Sequence, residues 1–190
     1  MLYNFRLMAV AGENGIAAYG VIMYVNFVFS SMYIGYSIGA APIVSYHYGA
    51  GNRTELKNLL KKSLGLIGLT GIVLTALAEI TSGPLVEIFV GYDRELFEMT
   101  CHGFRIYALF FIICGFNIWS SAFFTALGNG VVSATISFLR TLVFQSGAVM
   151  LLPIFLGLDG VWLAVVAAEI MALCVSAIFC VAQRKKYGYL

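Results

Sequence analysis

The chain has 190 residues, of which 61% are hydrophobic and only 11% charged, and its mean hydropathy is +0.93. Soluble domains carry about 25% charged residues, so a chain this poor in charge cannot cover a water-facing surface and takes lipid as its solvent. A formal net charge of +2 is too small to point to nucleic acid, and the basic residues cluster as membrane topology demands.

The opening stretch, MLYNFRLMAVAGENG, places its arginine after the first apolar residues, which is not the order of a signal peptide. At about 1.5 Å of rise per residue it is too short to span. Residues 1–11 read as a partial helix, the outer end of one that begins outside this chain. From Asn14 to Asn52 there is no Asp, Glu, Lys or Arg. An apolar run of roughly 18 or more residues predicts a membrane-spanning helix, so the first full crossing is expected over about 16–48, with Pro42 near its end.

The next stretch, SYHYGAGNRTELKNLLKK (45–62), has the glycines of a phosphate cradle but not the pattern. Thr54 stands where the dinucleotide fingerprint needs its third glycine, and no Gly-Lys-Ser/Thr follows. It is a corner. Gly49 and Gly51 can adopt left-handed angles, Asn52 with Glu55 resembles a capping box, and Lys57, Lys61 and Lys62 suit an anionic inner leaflet.

Four further crossings are expected at about 59–81, 101–127, 131–156 and 158–183, followed by a tail over 184–190. The second contains GLIGLTG, whose small residues allow close helix approach. Between them stand Thr81-Ser82-Gly83-Pro84, Gly128-Asn129-Gly130 and Gly157-Leu158-Asp159-Gly160. This makes the fold class all-α, a polytopic transmembrane helix bundle in a single domain over 1–190. Loop charge tests the count. Arg53, Lys57, Lys61, Lys62, Arg184, Lys185 and Lys186 fall on one side, Arg94 and the acidic loops on the other. The basic loop 53–62 and the tail are therefore expected in the cytoplasm of a multi-pass cell-membrane protein.

An ionisable group at membrane depth costs about 2.5–3.5 kcal/mol on insertion scales and faces the bundle or a wet cavity. Arg140 and Glu169 enter their helices from opposite faces and reach similar depth, which predicts a pair. The pair serves either a substrate or proton route, or the fixing of helix orientation. Asn26, Ser30, Tyr33 and Ser37 recur at helical spacing on one face. Asn117, Ser120, Ser121 and Thr125 form a second polar stripe, and Gln145 adds a third element. These groups suit either a cavity for amphipathic substrates or bonds between helices. His102 and Arg105 read as snorkelling to the outer interface, and His47 as interfacial. The four cysteines lie in apolar runs, at spacings that suit neither disulfide nor metal. No H-E-x-x-H, paired aspartates or matched serine and histidine points to an enzyme.

Several segments, GENGIAAYGV, IGAAPIVSYHYGAGN, AFFTALGNG, SFLRTLVFQ and GLDGVWLA, resemble in order and spacing the second half of multidrug and toxic compound extrusion (MATE) transporters. The resemblance covers essentially the whole chain, from the end of the family's seventh helix through its twelfth. It implies the C-terminal six-helix lobe of such a transporter, with its first helix truncated. It also implies export of drugs or organic cations in exchange for Na⁺ or H⁺, with no cofactor. The partners implied are membrane lipid, small amphipathic or cationic substrates, and a missing N-terminal lobe or a second copy. No Asp or Glu lies between Cys101 and Leu127, so the family's coupling carboxylate cannot be carried onto that helix. The alternatives are a lipid-linked oligosaccharide flippase of the same superfamily, or a half-transporter remnant that does not transport.

Overall fold

The computed structural model describes residues 1–189. The helices in order are α1 (Leu2–Gly49), α2 (Arg53–Val90), α3 (Arg94–Ala108), α4 (Phe110–Ala126), α5 (Gly130–Phe138), a π-helical turn (Leu139–Phe144) and α6 (Gln145–Tyr187). No strand occurs among the described residues.

Two of these helices are hairpins. Tyr3 and Tyr19 would lie about 24 Å apart along a straight helix, yet their rings stack at 5.1 Å. The reversal sits at Gly12, with φ 61° and ψ −149°, a conformation open to glycine alone. Gly157, with φ 56° and ψ −131°, does the same for α6, so a Cβ on Gly160 would fall 2.5 Å from the Leu152 carbonyl. The chain thus makes a short limb 2–11 and five longer passes: 13–49, α2, α3 with α4, 130–156 and 158–187.

Leu2–Gly49, Arg53–Val90 and Gly130–Tyr187 are each long and apolar enough to cross a membrane, and α3 and α4, bent by 45° at their junction, are so only when taken together. Large apolar side chains such as Phe27, Ile80 and Phe155 point outward, as lipid requires. The short limb is packed in. Leu7 is fully buried, and the Arg6 guanidinium donates to the Met150 carbonyl at 2.8 Å.

The second expected crossing, 59–81, is too short at both ends. α2 runs 38 residues and passes straight through Thr81-Ser82-Gly83-Pro84, read above as a break. In the turn before the proline, the Thr81 hydroxyl donates to the Leu77 carbonyl and the Ser82 hydroxyl to that of Glu79. The third crossing likewise starts earlier, at Arg94, where the Asp93 carboxylate caps the amides of Glu95 and Leu96. At the corner, Gly51 takes the left-handed angle (φ 69°) while Gly49 stays helical. Asn52 accepts from the Glu55 amide at 3.1 Å, but the Asn52 amide bonds to His47, so only half of the capping box forms.

α4 is the hub, packing against α1, α2, α5 and α6. Close approach comes through glycines. A Cβ on Gly71 would lie 3.1 Å from the α4 backbone, one on Gly103 would enter the Trp162 ring, and one on Gly115 would enter the Tyr33 ring. Gly35 and Gly39, a GxxxG pair, meet nothing within 4 Å.

The tail expected over 184–190 is docked over 184–189, Leu190 lying outside the described residues. α6 stays helical to Tyr187, and Gly188 turns the chain with φ 67°. Tyr189 is then fully buried, edge-on to Phe123 at 5.2 Å, its hydroxyl donating to the Cys180 carbonyl at 2.9 Å. Burial pushes its phenol above the usual value, so it remains a donor.

Gly115→Ala forces Tyr33 out of its slot and is expected to destabilise the bundle by about 1–3 kcal/mol. Gly65→Ala, where nothing lies within 4 Å, is expected to leave the melting temperature unchanged or slightly raised. Thermal unfolding of both variants in detergent measures the contrast.

Candidate functional site

Glu169 lies on the second limb of α6, with its carboxylate buried. In one straight helix Arg140 would be about 43 Å away. The Gly157 reversal instead brings the two together, with Arg140 Nε donating to Glu169 Oε1 at 2.7 Å. Asn117 Nδ2, from α4, donates to Glu169 Oε2 at 2.7 Å and to the Glu169 carbonyl at 3.0 Å. Ser176, two turns further along α6, donates to Asn117 Oδ1 at 3.0 Å. Both carboxylate oxygens are thus engaged, and every hydrogen-bonding atom of the Asn117 amide is used. Arg140 projects from the π-helical turn, where the Gln145 amide bonds back to the Arg140 carbonyl five residues earlier. Such wide turns concentrate at functional positions.

This polar spine joins three passes, and sequence reasoning named only its ion pair. Asn117 was placed on a stripe that could line a cavity. It is fully buried, because α4 is enclosed by its neighbours. Depth along α6 was readable from spacing, whereas the rotation of α4 was not.

The other polar candidates separate. Ser30 donates to Asn26 Oδ1 at 2.9 Å within α1. The Tyr33 hydroxyl donates to the Phe111 carbonyl at 2.7 Å, so Tyr33 is a bolt between α1 and α4. Ser120 is buried. Gln145 faces a cleft of about 320 Å³ with Tyr3, Thr141 and Ser146. Ser37 is 3% exposed, and its hydroxyl has no partner.

Ser37 borders a second cleft of about 350 Å³ between α1 and α4. Its walls are Ile34, Ile38 and Ile118, and its polar groups are Ser37, Ser121 and Thr125. Ser121 and Thr125 are backed by Ser133 and Ser137 of α5, with oxygen separations of 2.7–2.9 Å. The cleft therefore offers apolar contact area with a short row of hydroxyls, and no charge lines it.

His102 was read as snorkelling. It instead lies 2.8 Å from Asp159, Nε2 to Oδ1, tying α3 to the turn at Gly157. Arg105 is exposed. Among the described residues no group of His, Cys, Asp and Glu could hold a metal ion.

A family profile described as MatE matches residues 1–148. The chain belongs to the MatE family. None of the curated proteins matches it. Among solved structures, an inward-facing multidrug resistance MATE family transporter of the MOP superfamily superposes with a TM-score of 0.92 at 19% identity, covering 98% of this chain and 43% of that one. An outward-facing conformation gives 0.91 at 19% identity, with 100% and 43% covered. A MOP superfamily transporter from Pyrococcus furiosus, whose binding pocket is described as having reverse polarity, gives 0.90 at 19% identity, with 98% and 42% covered. At these identities the likeness is one of fold. The chain spans less than half the length of these transporters, and it is an integral membrane protein with a MatE-family fold.

Removing one partner of a buried ion pair costs about 3–5 kcal/mol. Arg140→Glu and Glu169→Arg are therefore each expected to lose most folded protein. The double exchange is expected to regain part of it, since the Asn117 amide can turn its oxygen toward the new guanidinium. Fluorescence-detected size exclusion of all three in detergent reads the outcome, and failure of the double variant to exceed either single one removes the pairing.

Proposed function

We propose that this chain forms one lobe of a secondary antiporter that exports drugs or organic cations in exchange for Na⁺ or H⁺, working with a second lobe or a second copy. The observation that carries this reading is the cleft between α1 and α4. Three isoleucines supply the apolar wall, and Ser37 presents a buried hydroxyl with no partner. Flat amphipathic molecules bind in pockets of this composition, area from the walls and orientation from a few polar atoms.

Alternating access needs two lobes that rock without losing their internal packing. This chain superposes almost equally on an inward-facing and an outward-facing transporter, which supports a lobe that moves as a body. Binding of the ion then favours one access state and binding of the substrate the other. Glu169 is the acid near mid-depth, and both its oxygens are taken by Arg140 and Asn117. A carboxylate so neutralised offers little to Na⁺, so the coupling group belongs to the partner lobe unless the spine opens. A flippase handling pyrophosphate would want cations facing the cleft. None lines it, and Arg140 is spent on Glu169. No covalent chemistry and no cofactor are invoked. The basic end of the bundle, with Arg53, Lys57, Lys61, Lys62 and Arg184–Lys186, faces the cytoplasm under the positive-inside rule.

Cells expressing the chain are expected to retain less ethidium than cells without it, and Ser37→Leu, which fills the cleft, is expected to abolish the difference at equal expression. Unchanged retention at verified expression counts against export. An unaffected Ser37→Leu counts against the cleft.

A further inference from the structure

The docked tail creates a feature that transport does not use. Lys186 is carried onto the corner at Gly51–Arg53 and, with His47 and Arg53, borders a cleft of about 190 Å³. Tyr48, Tyr187 and Asn52 complete the wall. Like charges in one small cleft repel, and something must hold them there. The tail does so mechanically. Tyr189 is fully buried, Tyr187 is 4% exposed and lies edge-on to Tyr48 at 5.5 Å, and the Lys186 ammonium sits 5.1 Å from the Tyr187 ring centroid. Gly188 crosses so close over Arg53 that a Cβ there would fall 2.6 Å from the Arg53 Cδ, which fixes the guanidinium stem.

No carboxylate among the described residues pairs with Arg53 or Lys186; the ion pairs present are Arg94–Glu98, His102–Asp159 and Arg140–Glu169. Among the described residues, then, the cleft is a positive site with no anion paired to it. Guanidinium and ammonium donors set around a concave surface match the oxygens of a phosphate. The corner lies at the basic end of the bundle, between the apolar helices α1 and α2, and basic residues beside such helices meet anionic headgroups.

We propose that this corner binds the phosphate of an anionic phospholipid headgroup, held between Arg53 and Lys186 with the His47 ring alongside. The site ties the C-terminal turn to the α1–α2 corner through the lipid, and it stands whether or not the chain transports anything.

The full chain, purified in detergent, is titrated with phosphatidylglycerol, phosphatidylcholine or inorganic phosphate, and bound lipid is read by native mass spectrometry. Phosphatidylglycerol is expected to be retained and phosphatidylcholine lost. Losing one charge-assisted hydrogen bond to the phosphate costs about tenfold or more, so Arg53→Gln with Lys186→Gln is expected to weaken phosphatidylglycerol by at least about tenfold. The control Lys61→Gln with Lys185→Gln removes the same charge from the same end but outside the cleft, and is expected to change binding by less than about twofold. Arg53→Lys with Lys186→Arg keeps both charges and is expected to keep binding, which separates loss of the site from loss of the fold. Displacement of phosphatidylglycerol by millimolar inorganic phosphate assigns recognition to the phosphate, and its persistence assigns a share to the acyl chains. Equal losses in the two Gln pairs, or phosphatidylcholine bound as tightly as phosphatidylglycerol, overturns the site.

Discussion

A carboxylate inside a lipid-facing bundle is tolerated only when its charge and its lone pairs are answered, and Glu169 is answered from three directions. Arg140 takes one oxygen, Asn117 the other, and Ser176 completes the Asn117 amide. The consequence is architectural. α4, the π-helical turn and the second limb of α6 are held in one relative rotation, because a slip of any of them strands a buried polar group at a cost of about 1–3 kcal/mol. Apolar packing in lipid lacks this directional power, since a leucine is as well solvated by acyl chains as by another helix.

The same constraint governs the backbone. Chain reversals are made at Gly12 and Gly157, whose positive φ angles turn the helix within a single residue and leave few amides exposed. Before Pro84, the Thr81 and Ser82 hydroxyls bond to carbonyls of the preceding turn. Glycines lie where two helices must nearly touch, at Gly71, Gly103 and Gly115, and the aromatic rings of Trp162 and Tyr33 occupy the space they vacate.

Much of this was legible in the sequence because membrane helices advertise themselves by hydropathy and their turns by glycine. The Arg140–Glu169 pair followed from counting residues inward from two loops, an arithmetic that depends only on helical rise. What escaped was whatever depends on rotation or on compensation. Asn117 and Tyr33 stood on polar faces that could have met a cavity, and only the packing of α4 decides that both are buried. Thr81-Ser82-Gly83-Pro84 has every local mark of a turn, yet α2 continues through it to Val90. His102 looked solitary because its partner, Asp159, lies 57 positions away. The tail RKKYGY looked like a basic anchor, yet its two tyrosines are core residues.

The polar side chains then divide by a single criterion, whether the bundle already answers them. Asn117, Ser176, Tyr33 and Glu169 are saturated, and a saturated group has nothing left to give a substrate without breaking the lobe. Ser37 is buried and unanswered, at the edge of an apolar cleft whose other hydroxyls stand at the surface of a bonded cluster. An unsatisfied hydroxyl is a small standing cost that a ligand, a water or a neighbouring lobe can remove, and its removal favours whichever conformation brings that partner near. The Tyr3 hydroxyl, beside the cleft that Gln145 faces, is likewise without a partner, so each of the two clefts holds a group that a neighbour could answer. The spine holds the three passes that it joins in one arrangement.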